Sequence, residues 1–279
     1  PQLVENLSAV KSPQQIFGAL SKTYYAQLVG LDPDNIFVVS IMPCVSKKYE
    51  LLRPEMKASG FQDVDVELTT REFIQMLFQA GLDLKKMPQE EFDSPLGSAS
   101  GAGIIFGSTG GVMEATLRTV YEWLSGEPLG QLEFEEVRSQ EYKEATVHAG
   151  DYELKVAVAR GTGAARRLID RMLEGKKEYH FIEVMACPGG CVGGGGQPIY
   201  IETNDWNEQI SHRAKRARGL YELDRQKQYR KAHENPMILK LYNDYLEHPG
   251  SPLARKILHS AHIPRKLYTK EPLLVQHYR

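Results

Sequence analysis

The chain has 279 residues, and its 34 Lys and Arg against 36 Asp and Glu leave a net charge of −2. That balance gives no electrostatic footprint for nucleic acid, and no apolar run approaches the roughly 18 residues of a membrane span. The length carries a prior of about two domains or lobes with room for a substantial core, and three cysteines, an odd and low count, point to a reducing compartment and so to the cytoplasm.

The opening PQLVENLSAVKSPQQ has neither the charged region nor the apolar stretch of a signal peptide. The chain reads as starting in the middle of a domain, with any targeting information outside it. Ser12 is the expected N-cap and Pro13 the first helical position of a helix that stops at Gly30. NIFVVSIMPC reads as a buried strand ending at Pro43, and DVDVELTT as a second strand whose Thr70 caps the helix REFIQMLFQAG. A polar loop around residues 85 to 100 precedes a short apolar segment, the Gly-rich turn GSTGG and a helix. Residues 133 to 160 alternate as paired strands, with Ala149, Gly150 and Asp151 at a hairpin. The helix GAARRLIDRMLEG leads into the strand YHFIEVMAC. From about residue 205 the pattern turns helical, basic and Tyr-rich, and residues 261–279 read as an extended tail. Strand-helix-strand order predicts an α/β fold with largely parallel sheets flanked by helices, plus a helical carboxyl-terminal region. Loops at the carboxyl ends of such strands are the usual place for a site.

Both cysteine motifs fall at such ends. In FIEVMACPGGCVGGGGQP, Cys187 and Cys191 flank a Pro-Gly-Gly turn, and in IMPCVSKKYE Cys44 follows a strand. An isolated C-x-x-x-C is as often a structural pair. Together with the glycine run and the second motif, the pattern points instead to ligands of a soft metal centre, where glycines let the backbone approach a bulky cofactor. Four cysteines normally hold a four-iron cluster and this chain has three, so one ligand comes from elsewhere or one of the three serves another metal.

MPCVSKKYE and EVMACPGGCVGGGGQP resemble the second and third signature motifs of the catalytic domain of FeFe-type (iron-only) hydrogenases, and the likeness continues through LSAVKSPQQIFGALSKTYY and SGAGIIFGSTGGVMEATLRT. It covers residues 1–260 as part of a two-lobed catalytic domain. The tail beyond is similar only to some members, notably subunits of NAD(P)-linked multisubunit enzymes. The resemblance implies reversible interconversion of protons and electrons with dihydrogen. The implied cofactor is a 4Fe-4S cluster linked to a di-iron subsite with carbonyl, cyanide and dithiolate ligands. It implies that Cys44, Cys187 and Cys191 are cluster ligands, with Cys191 bridging to the di-iron subsite. Lys47 then donates a charge-assisted hydrogen bond to a cyanide, while Met42, Gln14, Phe106 and Met185 wall the di-iron pocket and Ser8 belongs to the proton relay. The family's first motif, a pair of adjacent cysteines, is absent from this chain. An upstream segment or a separate chain is therefore expected to supply the fourth ligand. A ferredoxin-like donor or NAD(P)-linked subunits would bring electrons, and maturation proteins would install the di-iron subsite.

Other features read more blandly. Lys48 and Glu50 are expected to be structural, GSTGG lacks a P-loop lysine, and the eight histidines show no metal-binding spacing. The alternative function is a non-catalytic, hydrogenase-related iron-sulfur protein for cluster assembly or hydrogen sensing. Lys47, the Met42 and Met185 wall and the intact GGGGQP favour the enzyme, because a protein without di-iron chemistry has no use for a cyanide donor.

Overall fold

A computed structural model describes residues 3–130, 135–137, 142–199 and 206–262. Pro13, with its fixed φ, opens α1 (Pro13–Leu20). The path widens into a π-type turn over Ser21–Tyr25, where the Ser21 and Thr23 hydroxyls donate back to the carbonyls of Phe17 and Ala19. It then resumes as α2 (Ala26–Val29) and ends at Gly30 with φ 68°. Ser12 does not cap the helix with its side chain, because its hydroxyl donates to Glu50 at 2.7 Å instead. A 3-10 turn at Pro33–Asn35 shortens the next strand, β1 (Val39–Met42), which precedes α3 (Ser46–Leu51). β2 (Val66–Thr69) pairs parallel with β1 and sets Met42 opposite Thr69. The cap of α4 (Thr70–Gln79) is Thr69, one residue earlier than expected, because only there does Glu72 fall at the position that closes a reciprocal capping box.

The short apolar segment is itself helical, α5 (Gly101–Ile105), and is followed by α6 (Gly111–Ser125). The second sheet contains β3 (Glu135–Val137), β4 (Tyr142–Ala149) and β5 (Tyr152–Arg160), then α7 (Thr162–Leu173) crosses over to β6 (Phe181–Met185), in the order β3-β4-β5-β6. The expected α/β class, with helices flanking sheets, is what the chain adopts. Parallel pairing occurs at β1–β2 and β5–β6, the two places where a strand runs into a cysteine turn, while the hairpin makes the other described pairings antiparallel.

Period-two alternation along β5 sorts its side chains onto two faces. Val156 and Val158 pack with Met113 and Leu117 of α6, while Ala157 and Ala159 pack with Ala164, Ala165 and Leu168 of α7. Small residues on that second face let helix and sheet approach closely.

The carboxyl-terminal region contains α8 (Trp206–Gln226), α9 (Pro236–Leu241), a π-type turn at Tyr242–Leu246 and α10 (Pro252–Leu258). Leu241, Leu246, Ala254 and Ile257 bury against Ala19, Leu20 and Tyr24. Ser260 N–H then donates to the Ala9 carbonyl at 2.7 Å and Lys11 N–H to that of Leu258 at 2.8 Å, so the segment before α1 and the segment after α10 are stitched together. Apart from Ala261 and His262, the expected tail lies outside the described residues. Among the described residues no helix is long and apolar enough to cross a membrane.

Candidate iron-sulfur centre

The glycines around Cys191 are there because backbone occupies the space their side chains would need. A Cβ at Gly190, whose φ is 93°, would stand 2.7 Å from the Thr109 nitrogen, and one at Gly196 would stand 3.0 Å from that of Cys44. At Gly194 it would run into the carbonyl oxygen of Pro43. Hydrogen bonds run through the same contacts: Gly196 N–H to Pro43 O at 3.1 Å, Val192 N–H to Gly107 O at 3.0 Å, and Thr109 N–H to Gly189 O at 3.1 Å. Arg71 clamps the run further, its guanidinium donating to the Gly195 carbonyl at 2.8 Å. The run therefore presses the Cys191 turn onto the Cys44 turn on one side and onto the turn before α6 on the other.

All three thiols are free and half-buried. Burial pushes the Cys191 thiol up, and Cys44 and Cys187 push it further up while the Lys47 ammonium opposes them. The three thiols and Lys47 thus lie close enough to feel one another. A cavity of about 400 Å³ opens beside Cys44 and Lys47, lined also by Tyr49, Glu50, Arg53 and His262 among others. Lys47 pairs with Glu50 at 3.1 Å. Glu50 also accepts from Ser12 at 2.7 Å and from the Gln14 amide at 3.0 Å, and Gln14 accepts the Ser40 hydroxyl at 2.7 Å. Burial alone would raise the Glu50 carboxyl, but Lys47, Ser12 and Gln14 together hold it below its ordinary value. Glu50, expected to be a structural residue, is the hub of the polar wall. The serine-to-glutamate spacing that builds it spans 38 residues and leaves no local signal in the sequence.

Three of the other expected residues, Met42, Met185 and Phe106, adjoin the same turns, and Ser8 does not. Met42 ends β1 opposite Thr69, and Met185 ends β6, its carbonyl accepting the Gly161 N–H at 2.7 Å. Phe106 sits at the end of α5, half-buried against a core of Ala102, Ile105 and Ala115 and one residue before the Gly107 that holds Val192. Ser8 is exposed and its hydroxyl accepts the Val10 N–H at 3.3 Å. It meets the cavity rim through its backbone, since its carbonyl lies 3.1 Å from the ring of His262.

The GSTGG turn is capped by a carboxyl group of the protein itself. Buried Glu183 accepts the N–H groups of Gly110 at 2.6 Å and Met113 at 2.7 Å, which fills the amino-terminal end of α6 where a phosphate would otherwise dock. A larger cavity of about 940 Å³ lies between α6, the hairpin and α8 with no cysteine in its lining, and its Arg118, Arg230 and Lys231 are already paired with acids. Glu122, His233 and Glu234 cluster closely enough for a metal ion, but the Lys231 ammonium already pairs with both carboxylates.

Soft sulfur donors on a backbone stripped of side chains fit a thiolate-bound iron-sulfur cluster, at one ligand fewer than a complete four-cysteine set. Comparison with known proteins agrees. Residues 1–195 match the family described as iron only hydrogenase large subunit, C-terminal domain, and residues 210–265 the iron hydrogenase small subunit. The chain is 46% identical to the NADP-reducing hydrogenase subunit HndD of Solidesulfovibrio fructosivorans over 95% of its length, and 45% identical to iron hydrogenase 1 of Clostridium pasteurianum over 93%. It spans 44% and 45% of those two proteins, less than half of each. A more distant relative, at 32% identity over 91% of this chain and 53% of its own, is the mouse cytosolic iron-sulfur assembly component 3. Among solved structures, a variant of the FeFe-hydrogenase HydA1 from Chlamydomonas reinhardtii superposes with a TM-score of 0.81 at 36% identity, over 94% of this chain and 72% of that one. On sequence, fold and the docking of its two cysteine turns, the chain belongs to the iron-only hydrogenase family.

Proposed function

We propose that residues 1–260 form the catalytic-domain portion of an FeFe-type hydrogenase that interconverts protons and electrons with dihydrogen. The cofactor, when bound, supplies electron storage and an open coordination position at iron. Cys44, Cys187 and Cys191 would hold its 4Fe-4S part, and Cys191 would bridge to the di-iron subsite with its carbonyl, cyanide and dithiolate ligands. Lys47, oriented by Glu50, would present its ammonium to a cyanide, a charge-assisted hydrogen bond. Met42, Gln14, Phe106 and Met185 would limit water around that subsite, and Ser8 would take part in moving protons at the rim. Docking of the Cys191 turn on the Cys44 turn is the observation that carries this reading, because it brings soft ligands from distant parts of the chain to one place.

An upstream segment or a separate chain would supply the fourth cysteine. The exposure of Val39 (46%) and Ile41 (45%) on β1, and of Phe37 (71%) just before it, supports such a partner, since parallel strands are ordinarily covered on both faces. Likeness to the NADP-reducing subunit and to the hydrogenase small subunit supports NAD(P)-linked subunits or a ferredoxin-like donor as electron partners, with maturation proteins installing the di-iron subsite. The free thiols support a reducing, cytoplasmic compartment. A second reading, cluster assembly or hydrogen sensing without turnover, draws on the assembly relative. Higher identity to the hydrogenases and an ammonium beside the thiols favour catalysis.

The test is made in the complete enzyme. Cys191→Ala is expected to lose the carbonyl and cyanide infrared bands while keeping part of the cubane signal, whereas Cys44→Ala loses the cubane itself. The isolated 279-residue chain, reconstituted with iron and sulfide, is expected to bind cluster poorly and evolve no dihydrogen from reduced viologen. Native infrared bands with normal activity in the Cys191 variant would overturn the assignment.

A further inference from the structure

One carboxylate has no place in that scheme. Glu67 projects from β2 with a fully buried side chain, and neither of its oxygens has a hydrogen-bond partner. A buried acid in this condition either holds a proton or balances a nearby charge. The nearest cation is Lys48, whose Nζ stands 3.7 Å from Oε2, beyond hydrogen-bond range, while donating to the Glu67 carbonyl at 3.0 Å. Lys48 also pairs at 2.8 Å with Glu72, whose side chain is 46% exposed. Glu72, Lys48 and Glu67 thus form a ladder from solvent to the interior.

The inner end of the ladder lies one strand away from a chain of hydrogen bonds that ends at Lys47. Ser40 lies directly across from Glu67 on β1, and through Gln14 and Glu50 it connects to Lys47. The outer end reaches the site by a second route, because Glu72 accepts the N–H and hydroxyl of Thr69, whose Cβ abuts Gly196 beside Cys44. Glu67 and Thr69 are two steps apart on β2, about 6.6 Å along the strand, and Thr69 abuts the Gly196 beside Cys44, so the cysteine turn lies on the order of 10 Å from Glu67.

We propose that Glu67 is a proton-exchanging group coupled to the iron-sulfur centre. When the group held by the cysteines gains one electron from its donor, the Glu67 carboxylate binds a proton more tightly and its proton occupancy rises, the proton coming from solvent on the side where Lys48 lies. Only an O–H bond forms, and reoxidation reverses the change. The inference rests on the iron-sulfur reading above and gives that site a charge-compensating partner.

Opposed influences poise the group. Burial favours the neutral acid, Lys48 the carboxylate, Glu72 the acid again and Lys47 the carboxylate. One added negative charge at about 10 Å, at an effective dielectric constant of about 20, raises proton affinity roughly tenfold. For a one-electron couple a tenfold change corresponds to about 59 mV.

The experiment measures the cubane midpoint potential against pH in the cluster-loaded, full-length enzyme, by electron paramagnetic resonance of poised samples. The wild type is expected to step down by about 59 mV from the acidic to the alkaline side of the Glu67 titration. Glu67→Gln, isosteric and always neutral, is expected to hold the acidic-side potential throughout. An infrared difference spectrum should gain a carboxylic-acid carbonyl band on reduction of the wild type and lack it in the variant. A cubane signal with the same pH step in both proteins, or no such band in the wild type, overturns the role of Glu67. Absence of any cubane signal in the wild type would instead overturn the iron-sulfur reading beneath it.

Discussion

Lys47 and Lys48 are neighbours in sequence and part ways in space. Adjacent positions on α3 point about 100° apart, so Lys47 turns to Glu50 and the thiols while Lys48 turns to β2 and α4. In the complete enzyme Lys47→Met should therefore abolish or nearly abolish dihydrogen evolution with fold and cubane preserved. A hydrogen bond to a charged partner contributes about 1.5–3 kcal/mol, and its loss leaves the acceptor unsatisfied. Evolution per di-iron site, with occupancy taken from infrared intensity, is the measurement; wild-type turnover at wild-type occupancy would return Lys47 to the status of a surface lysine. At this scale the thiols and Lys47 were legible because a short motif surrounds each. Glu50 and Glu67 were not, since an acid on a helix or an alternating strand reads as solvated until tertiary docking buries it.

At the scale of elements, the strand-then-turn placement of both cysteines follows from apolar β-branched runs stopped by Pro43 and by Pro188 with its glycines. The reason for four consecutive glycines was legible only in part. Cofactor approach accounts for open space, whereas the structure adds a protein partner, the Pro43 carbonyl pressed against Gly194. Gly194 has φ −63°, a value any residue adopts, so its requirement is steric and not conformational. Gly194→Ala should force the two turns apart, costing about 1–3 kcal/mol as overpacking does. Iron content of the purified enzyme should fall together with the melting temperature. Gly195→Ala is the control, because its Cβ would meet only the Val45 side chain at 3.5 Å, and it should retain iron; equal iron in both variants would show that the close approach at Gly194 is dispensable. The helix and strand order, the hairpin and the α4 region were readable from periodicity and turn residues. The π-type turn after α1 was not, because Ser and Thr hydroxyls donate back to carbonyls in ordinary helices as well, and the cap was displaced by one residue because Thr69 and Thr70 differ only in their spacing to Glu72.

Across the whole molecule the site is a seam, with Cys44 delivered by the β1–β2 sheet and Cys187 by the sheet ending in β6, so its integrity depends on how the helices between them are tied. The main tie is Asp224 on α8. Fully buried, it accepts Arg118 of α6 through both nitrogens at 2.8 Å and Arg230 at 2.7 Å, and the carbonyls of Tyr229 and Arg230 receive the first N–H groups of α5. No sequence pattern announces this acid, one of many charges in a basic helix. Burial would raise its carboxyl, yet the two guanidiniums hold it below its ordinary value. A depressed folded-state value contributes stability that is complete above the unfolded aspartate value of about 3.9 and is lost as pH falls through the lower, folded one. Asp224→Ala, which strands the buried Arg118, should cost about 3–5 kcal/mol at neutral pH. Denaturant midpoints of the two proteins should differ by a constant amount at neutral pH and begin to converge only as pH falls below the unfolded aspartate value of about 3.9, the convergence completing below the lower value at which folded Asp224 takes up its proton. A constant gap down to pH 2 would show that Asp224 acts through packing and not through its charge.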